Sequence, residues 1–80
     1  MSYLGDMNNT ASKTAAQWAL EHFAIALRCA RQQRTSTYYR NAAREAQNAG
    51  TAVGFPGNEE YWAQADELDA MADKLAAEGK

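Results

Sequence analysis

One histidine and one cysteine are the side chains best suited to bind a metal ion or to act in nucleophilic catalysis. His22 and Cys29 are seven residues apart, which places them two turns and about 10 Å apart along one helix. Within a single chain they cannot bind the same zinc ion, whose ligands lie about 2.0–2.3 Å away. His22 is also too far away to act as a base for Cys29. We therefore expect Cys29 to be a small buried apolar side chain with His22 beside it, and we predict no metal and no cofactor.

Two other kinds of catalytic motif are missing from the sequence. The glycine-rich run GTAVGFPG at 50–57 lacks the lysine and the spacing of a phosphate-binding loop. The paired carboxylates of the C-terminal third of the chain fall on the polar side of an amphipathic helix, where such groups face solvent. We therefore predict that the protein is not an enzyme.

Arginines are concentrated in the middle of the chain, with two tyrosines between them. Segment 28–44 contains five arginines, Arg28, Arg31, Arg34, Arg40 and Arg44. One hypothesis is a nucleic-acid-binding regulator in which STYYRNAAREA is a recognition helix. Against this, the formal net charge of the chain is −2, and phosphate binding requires a basic contact face. The alternative is that the arginines pair with an acidic third helix.

The elements that must position these groups are helices, because no strand-like alternation occurs. The run Thr35-Ser36-Thr37 has poor helix propensity and supplies capping side chains, which indicates a break or a sharp kink there. We expect the second helix to end at Gly50 and Asn58 to cap the third. The predicted segments are a flexible arm at 1–9, a helix at about 10–34 that begins near Thr10 or Ser12, a helix at about 37–49, a loop at 50–58 with Val53 and Phe55 as anchors, and a helix at 59–78.

The fold class that follows is a small all-α, three-helix domain. The first two helices form either a long kinked pair or a hairpin, and the third helix packs across them. Alanine makes up 18 of the 80 residues, whereas Leu, Ile, Val and Phe together number nine. Because such a core is thin, a domain of this size needs a disulfide, a metal or a second subunit, and one cysteine cannot form an intrachain disulfide.

The composition also bears on localisation. A transmembrane helix needs about 20 apolar residues in a row, and the most apolar stretch, 15–30, contains Gln17, Glu21, His22 and Arg28. The N-terminal residues lack the basic and apolar regions of a secretory signal. We expect a cytoplasmic protein that does not bind membranes.

The first helix carries apolar residues on two nearly opposite sides. One stripe consists of Ala16, Leu20, Phe23, Leu27 and Ala30, and the other of Trp18, His22, Ile25 and Cys29. One interpretation is a central first helix, covered by the second helix on one side and by the third on the other. The supply of large apolar side chains is short, however, so the other interpretation is that one stripe is covered only by a second copy or by a target. We therefore predict a homodimer that self-associates through Trp18, Ile25 and Cys29.

The third helix offers a second candidate surface. Trp62 lies beside Asp66, Asp69 and Asp73 on one flank of this helix, as an aromatic anchor with an electrostatic surround would. Residues 1–57 carry a net charge of +3 and residues 58–80 a net charge of −5. One interpretation is that Trp62 folds back over the apolar stripe of its helix and that the carboxylates are only solvated. The other, which we predict, is that this acidic flank binds a basic partner protein and that Arg28, Arg31 and Arg34 form a second contact set.

In overall style the chain resembles small accessory proteins of phages and mobile elements, including anti-CRISPR proteins. The features in common are a length under 100 residues, alanine-rich helices and an acidic helix, here NEEYWAQADELDAMAD at 58–73. The resemblance implies an inhibitor that blocks a host or defence protein by occupying its functional surface. The arginines depart from a pure nucleic-acid mimic. Besides the nucleic-acid-binding regulator, a structural helical subunit of an assembly is the alternative.

Overall fold

The computed structural model describes residues 13–80, which form three α-helices and no strand. The helices span Ala15–Gln33, Ser36–Val53 and Asn58–Ala77. The small all-α, three-helix domain expected from the sequence is therefore confirmed. The expected arm at 1–9 and the expected helix start near Thr10 or Ser12 lie outside the described residues.

A capping box fixes the start of the first helix. The hydroxyl of Thr14 accepts a hydrogen bond from the backbone N–H of Gln17 at 3.1 Å. The side-chain oxygen of Gln17 accepts in return from the backbone N–H of Thr14 at 2.8 Å. These two bonds satisfy donors that have no partner within the helix.

The break between the first two helices is a tight turn at Arg34 and Thr35. Arg34 has a φ of 53° in the left-handed region, and its N–H bonds to the carbonyl of Ala30. Thr35 then caps the second helix by accepting from the N–H of Tyr38 at 3.3 Å. The turn produces an antiparallel hairpin, in which Ala30 lies near Tyr39 and Phe23 lies near Ala46. Of the two arrangements that the sequence left open, the structure has the hairpin.

The second helix runs further than expected. It continues through Gly50 to Val53 and ends at Gly54, whose φ is 75° and whose N–H bonds to the carbonyl of Gly50. The prediction of a helix end at Gly50 was wrong, because this glycine is needed inside the helix for a close contact described below. The loop is shortened accordingly to 54–57.

The third helix begins without a side-chain cap. The expected cap residue, Asn58, is itself the first helical residue, and no side chain bonds the end of the helix there. Instead the N–H of Asn58 bonds to the carbonyl of Gly54 at 3.0 Å. This bond satisfies the N–H of Asn58 itself, whereas the predicted cap would have accepted from an N–H two or three residues further along the helix.

The central helix, Ser36–Val53, packs against both of the others, and the packing is made of alanine. Eight of the eleven buried hydrophobic residues are alanines, and Ala42, Ala46 and Ala49 are fully buried on the central helix. The first and third helices meet through side chains, with the rings of Phe23 and Tyr61 edge to face at 6.0 Å. Small side chains let helix backbones approach closely, so little room remains inside for large ones.

Enlarging one of these alanines should therefore destabilise the fold. Ala46→Leu adds bulk where Phe23 and Ala65 already lie. We expect it to lower the free energy of unfolding by about 1–3 kcal/mol. Urea denaturation followed by circular dichroism measures the difference. The exposed neighbouring change Gln47→Leu is the control, and equal stability of the two variants would contradict the alanine interface.

Candidate protein-interaction surfaces

Five large apolar side chains of the described residues lie at the surface. Trp18, Ile25, Tyr38, Phe55 and Trp62 are between 41% and 79% exposed. Among the buried hydrophobic residues, only three are larger than alanine, namely Phe23, Tyr39 and Leu75. Exposed apolar groups that lie together mark sites of interaction.

The rest of the described chain, residues 13–80, leaves the stripe predicted for self-association partly exposed. Trp18 is 46% exposed and Ile25 is 53% exposed, whereas Cys29 is half-buried. The rings of Trp18 and His22 meet edge to face at 6.0 Å. The Nζ atom of Lys13 lies 4.9 Å from the centre of the Trp18 ring, which is within the range of a cation–π contact.

A groove extends this stripe toward the central helix. Its walls come from the first helix and from the exposed side of the second, and the lining residues are His22, Ile25, Ala26, Cys29, Tyr38, Asn41 and Glu45. The structure buries Tyr39 and exposes 41% of Tyr38, so Tyr38 adds an aromatic ring to the surface.

Trp62 rests on the central helix at Gly50. A Cβ atom built on Gly50 would lie 2.6 Å from both Cδ1 and Nε1 of the indole and 3.1 Å from the carbonyl of Asn58. Only glycine leaves space for the indole in this position. Trp62 is still 44% exposed. It is therefore held against the helix on one side while the rest of the ring faces solvent.

Two of the three predicted contact carboxylates are paired within the chain. Arg40 of the central helix bonds Asp73 at 2.7 Å and Asp69 at 3.4 Å. The hydrogen bond to Asp73, with the attraction of both carboxylates, raises the pKa of Arg40 above its ordinary value. Among residues 13–80, Asp66 has no ion-pair partner. Asp69 and Asp73 thus share one arginine, which is a pairing between an arginine of segment 28–44 and the acidic third helix of the kind that the sequence offered as an alternative.

The arginines of segment 28–44 do not form one surface. Arg31 lines a groove on the core side, with Leu27, Tyr39 and Met71. Arg40 and Arg44 lie on the opposite, outer side of the central helix. Arg34 forms the turn. Arg28 is exposed on the first helix. Because Arg31 lies apart from Arg40 and Arg44, the five arginines do not form one continuous basic patch.

Phe55 faces solvent, contrary to the sequence prediction. It was expected to anchor the loop, yet 79% of it is exposed at the tip of the turn before the third helix. Val53, the other expected anchor, is half-buried. The predicted loop at 50–58 contains three glycines and one proline, and this composition gave no signal that its aromatic residue faces outward.

In the described part of the chain, no three His, Cys, Asp or Glu side chains are close enough together to hold a metal ion. None of the three helices there is long and apolar enough to cross a bilayer. Comparison of the chain with protein-family models, with curated proteins and with solved structures finds no match. The two exposed tryptophans and the charges beside them are the features of residues 13–80 best suited to contact another molecule.

The contact between Gly50 and Trp62 can be tested by fluorescence. Gly50→Ala puts a methyl group where the indole lies, so the ring must move away from the helix. In a Trp18→Phe background, where Trp62 is the only tryptophan, we expect its emission to shift to longer wavelength. Thr51→Ala, at an exposed position one residue on, is the control. An unchanged spectrum for Gly50→Ala would contradict the placement of the indole.

Proposed function

We propose that this chain is a non-catalytic binding protein that acts by occupying a surface of a target protein. The observation that carries the proposal is the exposed Trp62, held in place on Gly50 at the edge of an acidic helix. A large aromatic side chain that is already fixed loses little conformational freedom on binding. Such residues are the ones that contribute most to the affinity of protein interfaces.

The charges beside Trp62 define the chemistry of the target. Asp66 follows Trp62 by one helical turn, which places the two on the same side of the third helix. Asp69 and Asp73 continue this side, and their side chains are 41% and 73% exposed despite the bonds to Arg40. The three carboxylates and one guanidinium leave a net negative surface. We infer a target with an apolar pocket for the indole and basic residues around it.

A basic target of this kind is typical of proteins that handle nucleic acids. Inhibition of a host or defence protein, origin from a phage or mobile element, and a cytoplasmic location are parts of the same proposal. They are supported by the resemblance in overall style described above. Occupation of the target surface needs no catalytic group in this chain.

The division of the arginines favours protein binding over nucleic-acid binding. A phosphate-binding face needs several free cations on one side of the domain, whereas Arg40 is paired and Arg31 lies on the other side. The proposal therefore expects no binding of DNA or RNA even at low salt. A third possibility, a structural subunit, would self-associate without any foreign target.

The effect of a single charge separates these possibilities. Asp66→Lys reverses the carboxylate that is unpaired among residues 13–80 and leaves the contacts of Arg40 intact. With a target captured from the cells that produce the protein and then purified, we expect about a tenfold loss of affinity or more. Isothermal titration calorimetry gives the value.

Glu67→Lys is the matched control, because it makes the same change one residue away, where Glu67 lines the core-side groove. It should bind the target as the unaltered chain does. Equal affinities of the two variants would remove the Trp62 flank from the interface. Binding of a short DNA duplex that weakens steeply with salt would favour the nucleic-acid alternative instead.

A further inference from the structure

The outer stripe of the first helix has the spacing of a helix–helix interface. Trp18, His22, Ile25 and Cys29 follow one another at steps of four, three and four. This is the alternation of the two inward positions of a heptad repeat, through which two helices pack side by side. Trp18 and Ile25 are 46% and 53% exposed, so neither the central nor the third helix covers them.

The residues on the two edges of the stripe differ in kind. The edge toward the central helix is lined by Ala19, which is half-buried, and Ala26, which is buried. The far edge is lined by Glu21 and Arg28, which are both exposed and are of opposite charge. Small residues on one edge permit close approach, and the charges on the other edge select the direction of an approaching helix.

We propose that a second copy of this chain covers the stripe, with the two first helices antiparallel about a twofold axis. In this arrangement Trp18 packs against the partner's Cys29, and His22 packs against the partner's Ile25. Glu21 then lies beside the partner's Arg28, and the symmetry of the dimer repeats this ion pair. A parallel pair brings Glu21 beside the partner's Ala26 and gains no ion pair, so the charges favour the antiparallel direction.

The contacts of the single chain are compatible with these ion pairs. Arg28 has no ion-pair partner among the described residues. Glu21 bonds Lys13 at 2.7 Å, but its side chain is still 47% exposed, and a carboxylate accepts several hydrogen bonds at once. One Glu21 carboxylate can therefore bind Lys13 and the partner's Arg28 together.

This inference goes beyond the proposed function, because it uses the outer side of the first helix and leaves Trp62 on the third helix free. A dimer that binds no target would contradict only the proposed function, and a monomer that binds a target would contradict only the proposed dimer. The two proposals therefore fail separately.

The first test is a charge exchange measured by sedimentation equilibrium over a wide range of concentration. We expect the unaltered chain to approach twice its mass of 8.8 kDa. Glu21→Arg and Arg28→Glu each place like charges at both symmetric contacts, and each should weaken the dimer about tenfold. The double variant restores opposite charges and should regain the original dissociation constant.

Arg44→Glu is the control, since it changes the net charge equally on the outer side of the central helix. It should leave the dissociation constant unchanged. Circular dichroism of every variant checks that the helices are retained. A chain that remains monomeric at all concentrations overturns the proposal. Single variants that dimerise as well as the unaltered chain also overturn it.

The second test uses the native cysteine to determine the direction of the pair. In the antiparallel arrangement the two Cys29 residues are separated by eleven residues of helix rise, or about 16 Å. A disulfide requires Cα atoms within about 7 Å, so mild oxidation should give no covalent dimer. A parallel pair would place the two Cys29 side chains together. Rapid formation of a Cys29–Cys29 disulfide within the dimer therefore overturns the antiparallel arrangement.

Discussion

The close packing of helices on the alanines of the central helix is the constraint on which the rest of the structure depends. Ala42, Ala46 and Ala49 are fully buried, and a methyl group is all that fits between the helix backbones there. Burial of alanine removes little apolar surface from water, so each contact stabilises the fold only slightly. Few large apolar side chains are buried in such a core, and Trp18, Ile25 and Trp62 are exposed at the surface.

The central helix also positions the groups on that surface. At one end Gly50 receives the indole of Trp62, and toward the other end Arg40 binds Asp69 and Asp73. The aromatic ring and the carboxylates of the third helix are therefore held by the same neighbour. In an antiparallel dimer through the first helices, two such Trp62 surfaces are present in each particle, which would strengthen binding to a target with repeated sites.

The sequence predicted what depends on periodicity and local chemistry, but not what depends on contact between distant residues. Three helices and the break at Thr35 follow from apolar spacing and capping side chains, and both are present. The extension of the second helix to Val53 could not be predicted, because Gly50 resembles a helix end unless the indole of Trp62 is seen against it. The pairing of Arg40 with Asp69 and Asp73 was likewise hidden, since charge segregation indicates an attraction without naming the partners. The separation of Arg31 from Arg40 depends on how the hairpin turns at Arg34.

The central claim is that the two tryptophans belong to different surfaces, with Trp18 covered by a second copy and Trp62 left for a target. Fluorine NMR of protein labelled with 5-fluorotryptophan tests this directly, because the chain contains two tryptophans and Trp18→Phe assigns their signals. On dilution, the account predicts that the Trp18 resonance moves while the Trp62 resonance stays in place. A spectrum in which neither signal depends on concentration, or in which Trp62 alone moves, would contradict the account.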